Sequence, residues 1–84
     1  MNIKFSQKAF NDYNDWTINN KKIFIKIQSL IKECLRTPYE GTGKPEPLKH
    51  DMSDFWSRRI TQEHRLVYKV EGETLFIDSC KDHY

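Results

Sequence analysis

Apolar positions in the first half of the chain recur at helical spacing. Asn2 to Phe5 predicts a short strand, and Ser6 stands where an N-cap belongs, ahead of a helix carrying Ala9, Phe10, Tyr13 and Trp16 at three- and four-residue intervals. The next segment is plainer. Ile23, Ile27, Leu30, Ile31 and Cys34 form one apolar stripe flanked by Lys21, Lys22, Lys26 and Lys32, with Asn19 or Asn20 to cap its start. Arg36 complements the dipole of the last turn, and Pro38 beyond it predicts an end near Leu35. A short connection between two amphipathic helices makes them an antiparallel pair.

The period then changes. Pro38, Gly41, Gly43, Pro45 and Pro47 crowd the stretch from Thr37 to Pro47, which reads as a loop. Phe55 to Ile60, His64 to Val70 and Thr74 to Cys80 are rich in aromatic and β-branched residues and predict three strands. Glu71-Gly72 stands where a two-residue hairpin turn belongs, which pairs Val70 with Glu73, Tyr68 with Leu75 and Leu66 with Ile77. Those side chains make an apolar face for the helices. Arg65, Val67 and Lys69 with Thr74, Phe76 and Asp78 make the opposite face, polar enough to stay open as a binding surface. The expected fold is a single α+β domain over residues 1–84, two N-terminal helices packed on a twisted antiparallel sheet in the order β-α-α-β-β-β.

Composition narrows the function classes. An 84-residue chain has no room for a separate substrate or regulatory domain, and eleven aromatic residues suffice for one compact core. Lys26, Gln28, Lys32 and Glu33 break the longest apolar-rich run, so no membrane span fits. The N-terminus has no apolar signal region, which makes the cytoplasm the expected compartment. Cys34 and Cys80 stand far apart without neighbouring ligands and read as two half-buried thiols rather than a zinc site or a disulfide framework.

The net charge of +2 is unevenly spread. Six basic residues face four acids between Lys44 and Lys69, so the whole excess lies in that segment, together with His50 and His64. That is the distribution of a local anion site, with a solvated face as the plain alternative. Gly41 to Lys44 is not a phosphate loop: Pro38 and Pro45 occupy positions where Gly and Ser or Thr are required. Pro45 and Pro47 instead stiffen the backbone around Glu46.

RNA cleavage by the chain's own 2′-hydroxyl needs a base for that hydroxyl, cations around the phosphorus and an acid for the departing 5′-oxygen. Glu46, Lys49, Arg58, Arg59, Arg65 and His83 contain those types. The same arginines could equally cover a sheet face, and His83 could be a frayed end. Counting by twos from Thr74 puts His83 on the apolar face, unless the last strand ends or bulges near Cys80 or the tail turns back.

The strings GKPEPLKH, FWSRRI and EHRLVY in this order, followed by a terminal His83-Tyr84, closely resemble the YoeB/Txe branch of the RelE-like bacterial toxins. The resemblance runs through essentially the whole chain. It implies a fold like that of compact microbial RNases, membership in a type II toxin–antitoxin pair, cleavage of messenger RNA in the ribosomal A site, and silencing by a YefM-like antitoxin. It leaves a homodimer open and calls for no cofactor or metal. Carried over by position, it implies Glu46 as general base, Arg65 as the phosphate-stabilising arginine and His83 as general acid, assisted by Lys49, Arg59, Tyr84 and Glu63. A non-catalytic module of the same fold that binds ribosome, RNA or antitoxin is the rival reading.

Overall fold

The computed structural model describes residues 1–82. Its elements are β1 (Asn2–Phe5), α1 (Gln7–Asn19), α2 (Lys21–Arg36), β2 (Glu46–Pro47), a 3-10 turn (His50–Met52), β3 (Trp56–Arg59), β4 (Arg65–Glu71) and β5 (Thr74–Ser79). The strands form one sheet in the order β1-β5-β4-β3-β2. Among the described residues no helix is long and apolar enough to cross a membrane.

Local chemistry sets the helix limits. The Ser6 hydroxyl accepts from the Ala9 amide at 3.0 Å. Asn20 ends α1 with its amide and caps α2 with its side-chain oxygen, which accepts from Ile23 at 3.3 Å. Ile27, Leu30, Ile31 and Cys34 of α2 are buried against Leu66, Tyr68, Leu75 and Ile77 of the sheet. In α1 the inward positions are Ala9, Asp12 and Trp16, whereas Phe10 is 56% exposed. Asp12 takes the inner place because its carboxylate accepts the buried Cys80 amide at 3.2 Å and pairs with Lys8 at 2.7 Å.

Two features of the sheet go beyond the pattern read from sequence. β1 lies parallel to β5, with Ile3 beside Leu75 and Phe5 beside Ile77, so the sheet is mixed. The proline-bracketed Glu46–Pro47 pair is not loop but a two-residue edge strand, antiparallel to β3. In the hairpin, Glu71 pairs with Thr74, Val70 with Leu75 and Tyr68 with Ile77. The turn is therefore Gly72-Glu73, one residue later than expected. Such a displacement moves every partner by two positions, so Leu66, Tyr68, Val70, Leu75 and Ile77 still share the helix-covered face. Gly72 supplies the positive φ of 59° that this turn uses.

The register breaks once. Tyr68 pairs with Ile77 but Val67 pairs with Ser79, so Asp78 is an extra residue bulged out of β5. Beyond it the inward parity changes from odd to even, and Cys80 is fully buried. Cys34 and Cys80 are both free and completely covered rather than half-buried. Burial pushes the Cys34 thiol up and, with Asp12 close by, pushes Cys80 to about 12, which leaves both as unreactive packing groups.

Candidate functional site

The sheet face away from the helices is built from alternate residues of each strand. Glu46 lies opposite Ser57, and Ser57 opposite Val67, giving one row across β2, β3 and β4. Arg59 and Arg65 are direct cross-strand partners in the adjoining row. Strand spacing of about 4.8 Å and a rise of about 3.4 Å per residue separate Glu46 from Arg65 by roughly 12 Å at Cα, a gap that two long side chains and a phosphodiester can fill. Val67, expected on this face as a solvated position, is instead nearly covered, at 3% exposure.

Glu46 is placed by the backbone on either side of it. The Arg59 amide donates to Gly43 O at 2.7 Å and the Leu48 amide donates to Phe55 O at 2.9 Å, so the whole stretch from Gly43 to Leu48 is tied along β3. Gly43 has φ +86°, and a Cβ there would stand 3.0 Å from the Arg59 carbonyl, so glycine is what lets the loop come this close. The exposed Glu46 carboxylate lies 3.5 Å from the Lys44 ammonium. Lys49 is exposed and lines, with Glu46, Pro47, Leu48, His50 and Met52, a shallow depression of about 290 Å³.

Arg65 is anchored through one nitrogen. Its Nη1 donates to the carbonyls of Thr61 at 2.7 Å, Gln62 at 3.1 Å and His64 at 3.1 Å. Among the described residues its Nε and Nη2 make no hydrogen bond, and neither Arg59 nor Arg65 has a carboxylate within ion-pair distance. Two like charges directly opposite on a sheet destabilise it, and an anion between them removes the repulsion. Glu63 is exposed in the turn that leads to Arg65, where its amide donates to the Thr61 hydroxyl at 3.1 Å. The Arg65 amide donates to Asp82 O at 2.9 Å, so the end of the described chain lies beside this arginine. His83 and Tyr84 lie outside the described residues.

Arg58, grouped with the candidate cations by sequence, belongs elsewhere. It shares the helix-covered face with Trp56 and is fully buried. Its guanidinium donates to the carbonyls of Thr37, Glu40 at 2.8 Å and Thr42 at 3.1 Å and to the Tyr68 hydroxyl at 3.2 Å, and lies 3.4 Å from a Glu33 carboxylate oxygen. It organises the 37–44 turns that deliver Glu46 to the sheet edge. The signal was strand alternation, which puts Arg58 in phase with Trp56 and Ile60. Sequence reasoning also missed Trp16 and His64 as braces of the C-terminal segment. Trp16 Nε1 donates to Cys80 O at 2.9 Å, and the Asp82 amide donates to His64 Nδ1 at 2.7 Å. Among the described residues no three His, Cys, Asp or Glu side chains gather as a metal site.

The fold and this face define a small α+β domain that carries an edge-strand carboxylate on the same open sheet face as two arginines with no carboxylate partner among the described residues. Residues 5–84 match the family described as the YoeB-like toxin of bacterial type II toxin-antitoxin systems, and the chain belongs to that family. It is 54% identical over 84 residues to toxin YoeB of Escherichia coli K12, with all of both chains covered. The YoeB/ParE toxin structure from Agrobacterium tumefaciens superposes with a TM-score of 0.97 at 44% identity, covering 100% of both chains. The Staphylococcus aureus YoeB–YefM complex matches at TM-score 0.92 and 49% identity, covering 100% of this chain and 98% of that one. The Staphylococcus aureus YoeB is also known as a dimer.

Proposed function

We propose that this toxin is a ribosome-dependent messenger-RNA endoribonuclease. The observation that carries the reading is the shared open face of Glu46, Arg59 and Arg65, with Asp82 hydrogen-bonded to the Arg65 amide. In the proposed mechanism Glu46 takes the proton from a 2′-hydroxyl, and the freed oxygen attacks the adjacent phosphorus. Arg65, with Arg59 and Lys49, stabilises the charge gathering on the phosphorane oxygens, and Glu63 and Tyr84 assist in holding the substrate. His83, joined to Asp82, protonates the departing 5′-oxygen, leaving a 2′,3′-cyclic phosphate.

Ribosome dependence follows from the size of the basic footprint. Among the described residues few cations without a carboxylate partner line the face, enough for a few phosphates and not for capture of free RNA along a long track. The exposed Lys21, Lys22, Lys26 and Lys32 of α2 offer a second basic surface for docking on ribosomal RNA. A partner of the YefM kind is proposed by analogy with the Staphylococcus aureus complex, and self-association by analogy with the dimer.

The test compares one transcript with and without initiated ribosomes, using wild type, Glu46→Gln and Arg65→Ala. Wild type should cut far faster on ribosomes, and each substitution should lower the rate at least about 100-fold, the scale of losing a general base or an oxyanion stabiliser. Equal wild-type rates with and without ribosomes would make it a free-standing RNase. Ribosome binding without any cleavage would favour the non-catalytic rival.

A further inference from the structure

The segment after the β5 bulge is held at successive points. Ser6 donates to it twice, its amide to Ile77 O at 2.9 Å and its hydroxyl to Asp78 O at 2.6 Å. The Asp12 carboxylate accepts from the Cys80 amide, and Trp16 Nε1 donates to the Cys80 carbonyl. The last fixed point is different, because it is made by a titratable ring. Asp82 has φ +63°, a left-handed conformation uncommon outside glycine. The amide donates to Nδ1 at 2.7 Å while the carbonyl of the same residue accepts from the Arg65 amide at 2.9 Å.

A ring nitrogen that accepts a backbone N–H carries no proton, so the remaining proton sits on Nε2. The ring itself has little freedom. Its side chain is 16% exposed and meets the Trp16 indole edge-on, centroids 4.8 Å apart at 74°. The charged groups around it are the Asp82 carboxylate, 3.9 Å from Nδ1, the Arg65 guanidinium on the His64 carbonyl, and Lys81 above the Trp16 ring.

We infer that His64 is a positioning residue: by accepting the Asp82 amide at Nδ1, it fixes the backbone of Asp82, which the Arg65 amide also holds and which in sequence directly precedes the proposed acid His83. This rests on the proposed ribonuclease reading. One side chain thereby couples two parts of the site, since the residue that follows His64 is the phosphate-binding arginine and the residue it grips precedes His83.

The experiment exploits the shapes of two amides. In His64→Asn the side-chain oxygen falls near the place of Nδ1 and can still accept the Asp82 amide, whereas in His64→Gln the amide reaches the place of Nε2. Turnover on ribosome-bound mRNA should stay within a few-fold of wild type in His64→Asn and drop about tenfold in His64→Gln, with KM unchanged, the scale of one lost hydrogen bond. Two wild-type-like variants, or two equally impaired ones, would overturn the inference. In parallel, 15N spectra of the wild-type toxin should show an unprotonated Nδ1 with a coupling across the hydrogen bond to the Asp82 amide. A protonated Nδ1 also overturns it. If wild type cleaves nothing, the ribonuclease reading falls, and the spectrum with Asp82 amide exchange in the two variants still decides the latch: exchange faster in His64→Gln alone upholds it.

Discussion

Arg58 and Arg59 stand side by side in β3, and strand alternation sends them to opposite faces of one sheet: Arg58 beneath the 37–44 turns with every nitrogen engaged, Arg59 exposed across from Arg65. The first has a carboxylate, a tyrosine hydroxyl and three carbonyls arranged around it. The second has, among the described residues, no carboxylate at all. A guanidinium taken out of water must be met on all sides, so an arginine of the first kind belongs to the fold. An arginine left exposed opposite another arginine costs stability and is free for an anion. The contrast separates architecture from chemistry within a single dipeptide.

The sharpest way to break it is to truncate each arginine in turn. Arg58→Ala leaves the carbonyls of Thr37, Glu40 and Thr42, the Tyr68 hydroxyl and Glu33 without their shared donor, and should cost about 3–5 kcal/mol in urea unfolding. Arg59→Ala should change the unfolding free energy by no more than about 0.5 kcal/mol, the usual range for an exposed position, while lowering the proposed cleavage. A stable Arg58→Ala protein, or an unfolded Arg59→Ala protein, would reverse the assignment of the two.

A smaller change sharpens the same contrast. Tyr68 accepts from Arg58 and donates to Pro38 O, and burial pushes its hydroxyl well above the usual range despite the arginine beside it. Tyr68→Phe removes both bonds without altering the ring, and about 1–3 kcal/mol should be lost with an unchanged denaturant slope. Equal stability would mean that water replaces the hydroxyl in the cluster.

The smallest effect is in the pH dependence. The Thr42 amide, donating to Glu33 at 2.7 Å, and the Arg58 charge hold the Glu33 carboxyl below its ordinary value of 4.5. A depressed carboxylate contributes stability above that value and loses it as the pH falls through the lower folded one. Stability should therefore decline with acid below pH 4.5, and Glu33→Gln should flatten the decline. An unchanged acid limb would show that the ion pair is spent entirely on solvent.

Much of this arrangement was legible in the residues themselves. Helix limits came from Ser6, Asn20 and the apolar stripe of α2, whose spacing is local. The open face with Arg65 also came through, because a hairpin turn misplaced by one residue preserves side-chain parity. What could not be read were contacts made across long stretches of chain. The inner side of Phe10's helix belongs to Asp12 because of an amide 68 residues away, and Arg58's carbonyl partners lie 16 to 21 residues back. β2 was hidden for another reason: two residues between prolines carry no strand periodicity, and only the glycine-permitted approach to Arg59 makes them one.

The Asp78 bulge has a consequence for how this chain tolerates length changes. A strand behaves as a two-stroke clock, and the bulge adds one stroke just before the end. Deleting Asp78, or inserting one residue between it and Cys80, would advance or delay everything downstream by half a cycle. The buried thiol position would then receive a neighbour meant for the solvent side, and the end of the chain would be dealt to the wrong face. Shifts of two residues would keep the phase but move Asp82 past Arg65. The timing of this final segment, more than any single side chain in it, is what the five residues after Ile77 have to conserve.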